Sequence, residues 1–187
     1  FETLDDVVEA WKANPKGFSI SGGSLGSIDH LLTGAIAGEI GVDPKEANYI
    51  AYSGGGEALN SLLSHTTDIG VSGYNEIADQ VDAGTLRALA ISSGERIETA
   101  PDLPTFKEQG IDVEMSNWRG FLAPPGIPAD AEDELLGIVD ELHRSEAWKE
   151  AVRRNSWTDA YMTGEELDRY IDEETARTQE LIEQLGL

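Results

Sequence analysis

Cysteine is absent and positive charge is scarce in this sequence of 187 residues. Without cysteine the protein has no disulfide scaffold, no thiolate metal ligand and no cysteine nucleophile. Lysine and arginine number 13 against 36 aspartate and glutamate residues, which gives a formal net charge of −23. Because phosphate backbones and anionic lipid surfaces repel such a chain, we expect it to bind neither nucleic acid nor a membrane surface.

Long hydrophobic runs are missing as well, and no stretch of the sequence has the length of a membrane span. No signal peptide is present and the chain starts at Phe1 rather than Met, so we expect a processed or truncated product. Hydrophobic residues still make up 40% of the chain, which is enough for a folded core. The length fits one ordinary domain or two small lobes.

The acidic excess has a consequence for stability, because the carboxylates repel one another. At about 1 M salt the Debye length falls to roughly 3 Å, and most of that repulsion disappears. The composition is therefore typical of a protein from a salt-loving organism. An acidic protein from an ordinary habitat is the alternative interpretation.

Apolar runs alternate with helical patterns in the first half of the chain. Thr3 and Asp6 form a capping-box pattern, which predicts a helix at the start. Strands are predicted at residues 17–21, 47–52, 68–72 and 86–91, with a helix after each of the first three. Strands and helices that alternate through short loops predict parallel βαβ units, and hence an α/β fold.

The pattern changes in the second half. Residues 113–122 are predicted to be extended, and the prolines and glycine between 124 and 128 break the chain. Helices are predicted at about 130–143, at 145–154 and from Thr163 onward. The proline-rich stretch therefore marks a domain boundary or a crossover.

Three loops that join a predicted strand to the next helix are rich in glycine and serine. In an open parallel sheet such loops meet at the carboxyl edge, where ligands bind. Close backbone approach, helix N-termini and serine hydroxyls together predict an anion site that needs no basic side chain. Ordinary turn residues are the alternative interpretation. The candidate ligand-binding residues are Ser21, Gly22, Gly23, Ser24, Gly26, Ser27, Tyr52, Ser53, Gly54, Gly55, Ser72 and Gly73.

The first loop also contains a rival motif. Gly22–Gly26 satisfies G-x-S-x-G between a strand and a helix, the context of a hydrolase nucleophile elbow with Ser24 as the nucleophile. His65 and His143 follow in the chain, but neither lies on a loop after a strand, and no HGGG-type segment is present. We expect a binding protein rather than an enzyme, and a small α/β serine hydrolase is the alternative.

No spacing of histidines and carboxylates predicts a metal site, so we expect neither a metal nor a cofactor. His30, one turn into the second helix, is interpreted as a packing or solvated residue. Trp118 fits a core residue and a cleft-lining residue equally well.

Short motifs recur in a specific order along nearly the whole chain. They are Gly26-Ser27 with His30-Leu31, Tyr52-x-Gly54 with Ala58-Leu59, Asp68, Gly84-x-x-Arg87-Ala88-Leu89-Ala90, Arg96, Pro101-Asp102-Leu103-Pro104-Thr105 with Glu108 and Gly110, Trp118-x-Gly120, and Pro124-x-Gly126-x-Pro128. In this order they resemble the TctC/Bug family, the extracytoplasmic solute-binding proteins of tripartite tricarboxylate transporters.

The resemblance implies a fold like the type II periplasmic binding proteins. Residues 1–112 would form the second α/β lobe, and residues 113–187 a crossover strand and helices that return to the first lobe. Most of the first lobe, which precedes this segment in the family, would be absent. A chain truncated in this way is a candidate for self-association.

The resemblance also implies a function. The protein would capture a small organic carboxylate outside the cytoplasm and deliver it unchanged to the membrane subunits of the transporter. A ligand sensor of the same fold is the non-transport alternative. Three positions depart from the family pattern: Ser24 and His65 replace glycines, and Ser53 replaces a lysine. Loss of that lysine would weaken the attraction for a highly charged anion.

Overall fold

The computed structural model describes residues 1–187, which divide into two compact units. Unit 1 comprises residues 1–117 and 175–187, and unit 2 comprises residues 118–174. No helix combines the length and the apolar character that a membrane crossing requires.

The first helix of unit 1, α1 (Leu4–Ala13), begins at the predicted capping box. The Asp6 amide donates to Thr3 Oγ1 at 3.1 Å, and the Thr3 amide donates to the Asp6 carboxylate at 2.9 Å. These two bonds satisfy backbone donors that the first helical turn leaves open. The helix buries Leu4, Val7 and Trp11 in the core.

Three parallel strands form the sheet of unit 1: β1 (Ser19–Gly22), β2 (Asn48–Ala51) and β3 (Ile69–Gly70). The strand order is β2-β1-β3, so β1 is central. Its Ile20 is fully buried, as expected for the middle of a sheet covered on both faces. The predicted parallel α/β architecture is confirmed.

One helix follows each strand: α2 (Ile28–Glu39), α3 (Gly55–Leu63) and α4 (Tyr74–Asp82). A short 3-10 helix, Pro44–Glu46, leads into β2. The core between α1, the sheet and α2 holds a continuous set of buried apolar side chains. They are Leu4, Val7, Trp11, Phe18, Ile20, Ile36, Ala37, Ile40, Val42, Phe106, Ile111 and Val113.

The predicted fourth strand at residues 86–91 does not form. Its last residue makes one isolated parallel bridge, between Ile91 and Thr105. The Ile91 amide donates to Pro104 O at 3.0 Å, and the Phe106 amide donates to Ile91 O at 3.1 Å. Because β3 has only two paired residues, it offers little edge for another strand, and the backbone at Ile91 pairs with the 104–106 turn instead.

The Pro-Asp-Leu-Pro-Thr segment forms a turn that is held by charged side chains. Arg96 Nε donates to both carboxylate oxygens of Glu108, at 3.0 and 2.9 Å, and Arg96 Nη1 donates to Pro101 O at 3.1 Å. The Thr105 amide donates to Glu108 at 2.8 Å. The hydrogen bonds from Arg96 and Thr105 lower the pKa of Glu108.

Residues 113–122, predicted as a crossover strand, form no strand ladder. Within unit 1 the Met115 amide donates to Ser92 O at 2.8 Å, but an extended segment becomes a strand only when a neighbour pairs along its length. The last helix, α7 (Gly164–Leu185), ends in unit 1, where Leu181 is buried with Leu31 and Met115. The division of the chain at residue 112 stays a prediction.

Unit 2 contains α5 (Ala129–Arg144), α6 (Glu146–Arg154) and the first part of α7. His143 Nε2 lies 2.8 Å from a carboxylate oxygen of Asp159, and its ring stacks on Tyr161 with centroids 4.0 Å apart. Many large apolar side chains of this unit are exposed. They are Trp118, Phe121, Leu122, Leu135, Leu136, Ile138, Leu142, Trp157 and Tyr161.

Candidate functional site

The three glycine–serine loops follow the carboxyl ends of three adjacent strands. Loop 1 (residues 21–27) joins β1 to α2, loop 2 (52–55) joins β2 to α3, and loop 3 (72–73) joins β3 to α4. The fold therefore brings the three loops to one edge of the sheet, whereas Ser21 is fully buried within the central strand. Ser21 and Gly22 still belong to β1, and the Ser21 hydroxyl donates to Ile69 O at 3.3 Å.

Loop 1 uses several of its polar groups within the protein. The Gly23 amide donates to Asp29 Oδ2 at 2.8 Å, and the Gly26 amide donates to His30 Nδ1 at 3.1 Å. The Tyr49 hydroxyl donates to Gly23 O at 2.8 Å. Two of the amides that were predicted to face an anion are therefore engaged by side chains of this chain.

Glycine is required at two positions of this loop for different reasons. A Cβ at Gly22 would collide with the Tyr49 hydroxyl and lie 2.9 Å from Asp29 Cβ. Only glycine, which has no side chain, therefore fits this position. Gly26 has φ of 75°, a left-handed conformation that side chains other than glycine adopt at a cost, although the space around it is open.

The side chains beneath loop 1 are partly shielded from water. Burial raises the pKa of Asp29, the Gly23 amide opposes this rise, and repulsion from Glu76 adds to it. Burial lowers the pKa of His30, which keeps the ring neutral and leaves Nδ1 free to accept from Gly26. Burial likewise raises the pKa of Tyr49 to about 12, so its hydroxyl stays a donor.

Loop 2 is closed by a carboxylate in the same manner. The amide and hydroxyl of Ser53 donate to Glu57 Oε2 at 3.2 and 2.7 Å, which lowers the pKa of Glu57. The Tyr52 hydroxyl donates to Ser61 Oγ at 2.7 Å, and the Tyr52 amide donates to Gly22 O at 3.0 Å. Gly54 is the N-cap residue of α3, and the helix begins at the next residue.

Loop 3 repeats the arrangement, and the carboxylate that closes it, Glu76 of α4, lies close to Gly55 of loop 2. The Ser72 hydroxyl donates to Glu76 Oε2 at 2.9 Å, and Gly73 is the N-cap residue of α4. A Cβ at Gly55 would lie 2.5 Å from Glu76 Oε2. Each of the three loops therefore has one carboxylate from the following helix on its own donors: Asp29, Glu57 and Glu76.

Donors for a ligand nevertheless remain at loop 1. The amides of Ser24, Leu25, Ile28 and Asp29 have no acceptor within the chain, as is usual for a helix start. Ser27 occupies the N-cap position of α2, but its side chain makes no capping hydrogen bond. These amides, with the positive end of α2, could hold one carboxylate.

The hydrolase alternative lacks a base beside Ser24. Ser24 is exposed and makes no side-chain hydrogen bond. The Nδ1 atom of His30 already accepts a hydrogen bond from the Gly26 amide. His65 follows the carboxyl end of α3, a helix about 13 Å long that starts at loop 2, so His65 lies at the end of the helix far from the loops. His143 is paired with Asp159 in unit 2. No nucleophile–base pair is formed at Ser24.

The structure contains no group of three or more histidine, aspartate or glutamate side chains that could hold a metal ion.

Sequence reasoning missed the three carboxylates that close the loops. Their positions carried a signal: each lies two or three residues after the N-cap residue of its helix, namely Ser27, Gly54 and Gly73. Side chains at this spacing reach back to the donors before a helix. The same kind of spacing forms the capping box of Thr3 and Asp6 at the start of α1.

The sequence matches the family described as tripartite tricarboxylate transporter family receptor, TctC, over residues 1–187. Protein BugT from Bordetella pertussis is 28% identical over 186 residues, which are 99% of this chain and 56% of BugT. The chain thus spans little more than half the length of the curated relatives it matches.

Solved structures share the fold. A TctC solute-binding protein from Polaromonas, without ligand, superposes with a TM-score of 0.79 at 28% identity, covering 99% of this chain and 62% of that one. R. palustris Rpa4515 with adipate gives a TM-score of 0.83 at 22% identity, with 100% and 62% covered. MatC from Rhodopseudomonas palustris with bound malate gives 0.76 at 19% identity, with 97% and 62% covered.

Proposed function

The chain belongs to the TctC family of tripartite tricarboxylate transporter receptors, and from this premise we propose that it is the ligand-binding part of an extracytoplasmic solute-binding protein. The observation that carries the proposal is the meeting of three glycine–serine loops at the carboxyl edge of one parallel sheet. Open α/β sheets bind small ligands at this edge. Residues 1–112 would be the second lobe of a two-lobed receptor, and residues 113–187 would return to the first.

The proposed ligand is a small organic carboxylate. Open amides at the start of α2 supply donors for one carboxylate, and the dipole of α2 adds to their attraction. Family neighbours with adipate and with malate support the ligand class. Ser24, Gly26 and Ser27 of loop 1, and the exposed parts of loops 2 and 3, would line the ligand.

The proposed role is transport rather than catalysis. The ligand would be handed unchanged to the membrane subunits of a tripartite tricarboxylate transporter, and the receptor would work on the outer side of the cytoplasmic membrane. The acidic composition fits a soluble receptor that avoids anionic lipid surfaces. Ser24, which lacks a base partner, would bind ligand and not attack it.

The exposed apolar side chains of unit 2 support a further part of the proposal. Phe121 and Leu122 are 72% and 79% exposed in a segment without strand partners. Apolar patches of this kind are usually covered by another part of the protein or by a second copy. We expect the 187-residue chain to self-associate, and light scattering after size-exclusion chromatography would measure it.

Binding can be tested by NMR on the 187-residue chain, because chemical shifts detect weak complexes. Succinate, malate, adipate, citrate, L-aspartate and L-glutamate would be titrated while the amide signals of residues 22–29 are followed. We expect at least one carboxylate to shift these signals with a dissociation constant on the order of millimolar, about −4 kcal/mol, since one lobe supplies only part of the contacts.

The Ser24→Ala variant separates binding from hydrolysis. Loss of one neutral hydrogen bond of about 0.5–1.5 kcal/mol should leave the affinity within about tenfold. A receptor should also show no turnover of simple esters. Two results would contradict the proposed function. One is ester hydrolysis by the wild type that disappears in Ser24→Ala, and the other is that no carboxylate shifts the amide signals of residues 22–29.

A further inference from the structure

The chain passes between the two units twice. It leaves unit 1 after Asn117 and returns at Thr175, within helix α7. Residues 111–115 alternate buried and exposed side chains, and every residue from 116 to 126 is exposed. The outgoing segment is therefore packed on unit 1 up to Met115 and exposed beyond it.

The peptide group between Glu114 and Met115 is held on both sides. Its N–H, the Met115 amide, donates to Ser92 O at 2.8 Å. Its oxygen, Glu114 O, accepts a hydrogen bond from Arg177 Nη1 at 2.8 Å. The Ser92 hydroxyl donates in addition to Met115 O at 2.7 Å, so the last buried residue of the segment has both of its backbone groups bound.

The side chain of Glu114 adds a further attachment. Lys107 Nζ lies 2.5 Å from its Oε2, and a Cβ at Gly94 would lie 2.7 Å from its Oε1. The carboxylate therefore fills the space beside Gly94 while Arg177 binds the backbone of the same residue. Because these contacts come from different parts of unit 1, they fix the position of the segment as well as its conformation.

Arg177 and Leu181 lie one helical turn apart on α7 and contact neighbouring residues of the outgoing segment. Leu181 is buried with Met115 and Leu31, and Arg177 donates to Glu114 O. Arg177 stands two residues after the chain returns to unit 1. One side chain therefore joins the outgoing segment to the returning helix.

We propose that Arg177 is a clamp that joins the two passages between the units, so that the outgoing segment and the end of α7 loosen together rather than independently. Residues 116–123, which follow the clamp and have no strand partner, are then the mobile part of the outgoing connection. The inference concerns the connections and not the ligand, so it goes beyond the proposed function and is tested separately from it.

Hydrogen exchange at the Met115 amide tests the clamp, because this N–H belongs to the peptide group that Arg177 holds. Arg177→Met removes the charged donor and keeps an unbranched apolar side chain, and we expect the Met115 amide to exchange about tenfold faster or more. Arg177→Lys keeps a charged donor, so its exchange rate should lie between those of Arg177→Met and the wild type. The matched control is Arg169→Met, the same change two turns earlier on α7 at an exposed residue of unit 2, which should leave the Met115 rate within about twofold.

The Ser92→Ala variant tests the coupling between the two passages. It removes a hydrogen bond to Met115 that comes from outside α7. A clamp requires that the amides of residues 181–185 on α7 nevertheless exchange faster, by about threefold or more, whereas a purely local role of Ser92 would leave them unchanged. Nitrogen-15 relaxation should show that the order parameters of residues 116–123 fall in Ser92→Ala and in Arg177→Met, while those of strand β1 stay the same.

Circular dichroism and urea unfolding first establish which variants are folded. A Met115 amide that exchanges within about twofold of the wild-type rate in folded Arg177→Met, or that is accelerated equally in Arg169→Met, overturns the inference. If Arg177→Met does not fold, Ser92→Ala decides, and unchanged exchange at residues 181–185 in that variant refutes the clamp. None of these measurements involves a carboxylate ligand, so their failure leaves the receptor function standing.

Discussion

Replacement of Gly22 by alanine is the sharpest test of how loop 1 is built. The new Cβ would collide with the Tyr49 hydroxyl and lie 2.9 Å from Asp29 Cβ and 3.0 Å from Tyr49 Cε2. Overpacking of this kind costs about 1–3 kcal/mol. Displacement of Tyr49 also breaks its bond to Gly23 O, which is worth about 0.5–1.5 kcal/mol. We therefore expect Gly22→Ala to lower the free energy of unfolding by about 2–4 kcal/mol.

Urea unfolding followed by far-UV circular dichroism would measure this loss. The matched control is Gly38→Ala on α2, where an added Cβ meets nothing within 4 Å. That change should stabilise the helix by about 0.5–1 kcal/mol. Tyr49→Phe removes the oxygen that the new Cβ meets, so in a double-mutant cycle it should recover about 1 kcal/mol of the loss. A Gly22→Ala protein as stable as the wild type, or no coupling to Tyr49, would refute this account of the loop.

Two further predictions concern charge. The chain has 36 acidic and only 13 basic residues, so salt should screen the repulsion between carboxylates and raise the melting temperature between low salt and molar KCl. A melting temperature that stays constant or falls along the salt series would count against the salt-loving interpretation. Burial raises the pKa of Asp29 above its unfolded value, so the folded state binds the proton more tightly and the ionised group costs stability at neutral pH. Urea unfolding should therefore show that the free energy of unfolding of the wild type rises relative to that of Asp29→Asn as the pH falls from 6 towards 3.5. A difference between the two proteins that does not change with pH would disprove this account of Asp29.

Local sequence patterns determined the elements that depend on near neighbours. The Thr3–Asp6 capping box starts α1 because both partners lie within one helical turn, so chain connectivity alone brings them together. The alternation of apolar runs with helical patterns likewise predicted three strands, three helices and the loops between them. The rule that parallel strands end at one edge then placed those loops together, without any knowledge of side-chain contacts.

Only the tertiary structure decided what the loops do with their donors. Glycine and serine predict open amides, but the Gly23 amide meets Asp29, and Tyr49 reaches Gly23 from a different strand. The predicted strand at residues 86–91 failed for a similar reason, since pairing depends on the edge that β3 offers and not on the segment itself. Contacts between distant residues depend on strand order and register, which periodicity does not encode. The sequence by itself could therefore predict which loops meet at one edge of the sheet, whereas the fold decided that carboxylates of the protein accept hydrogen bonds from those loops.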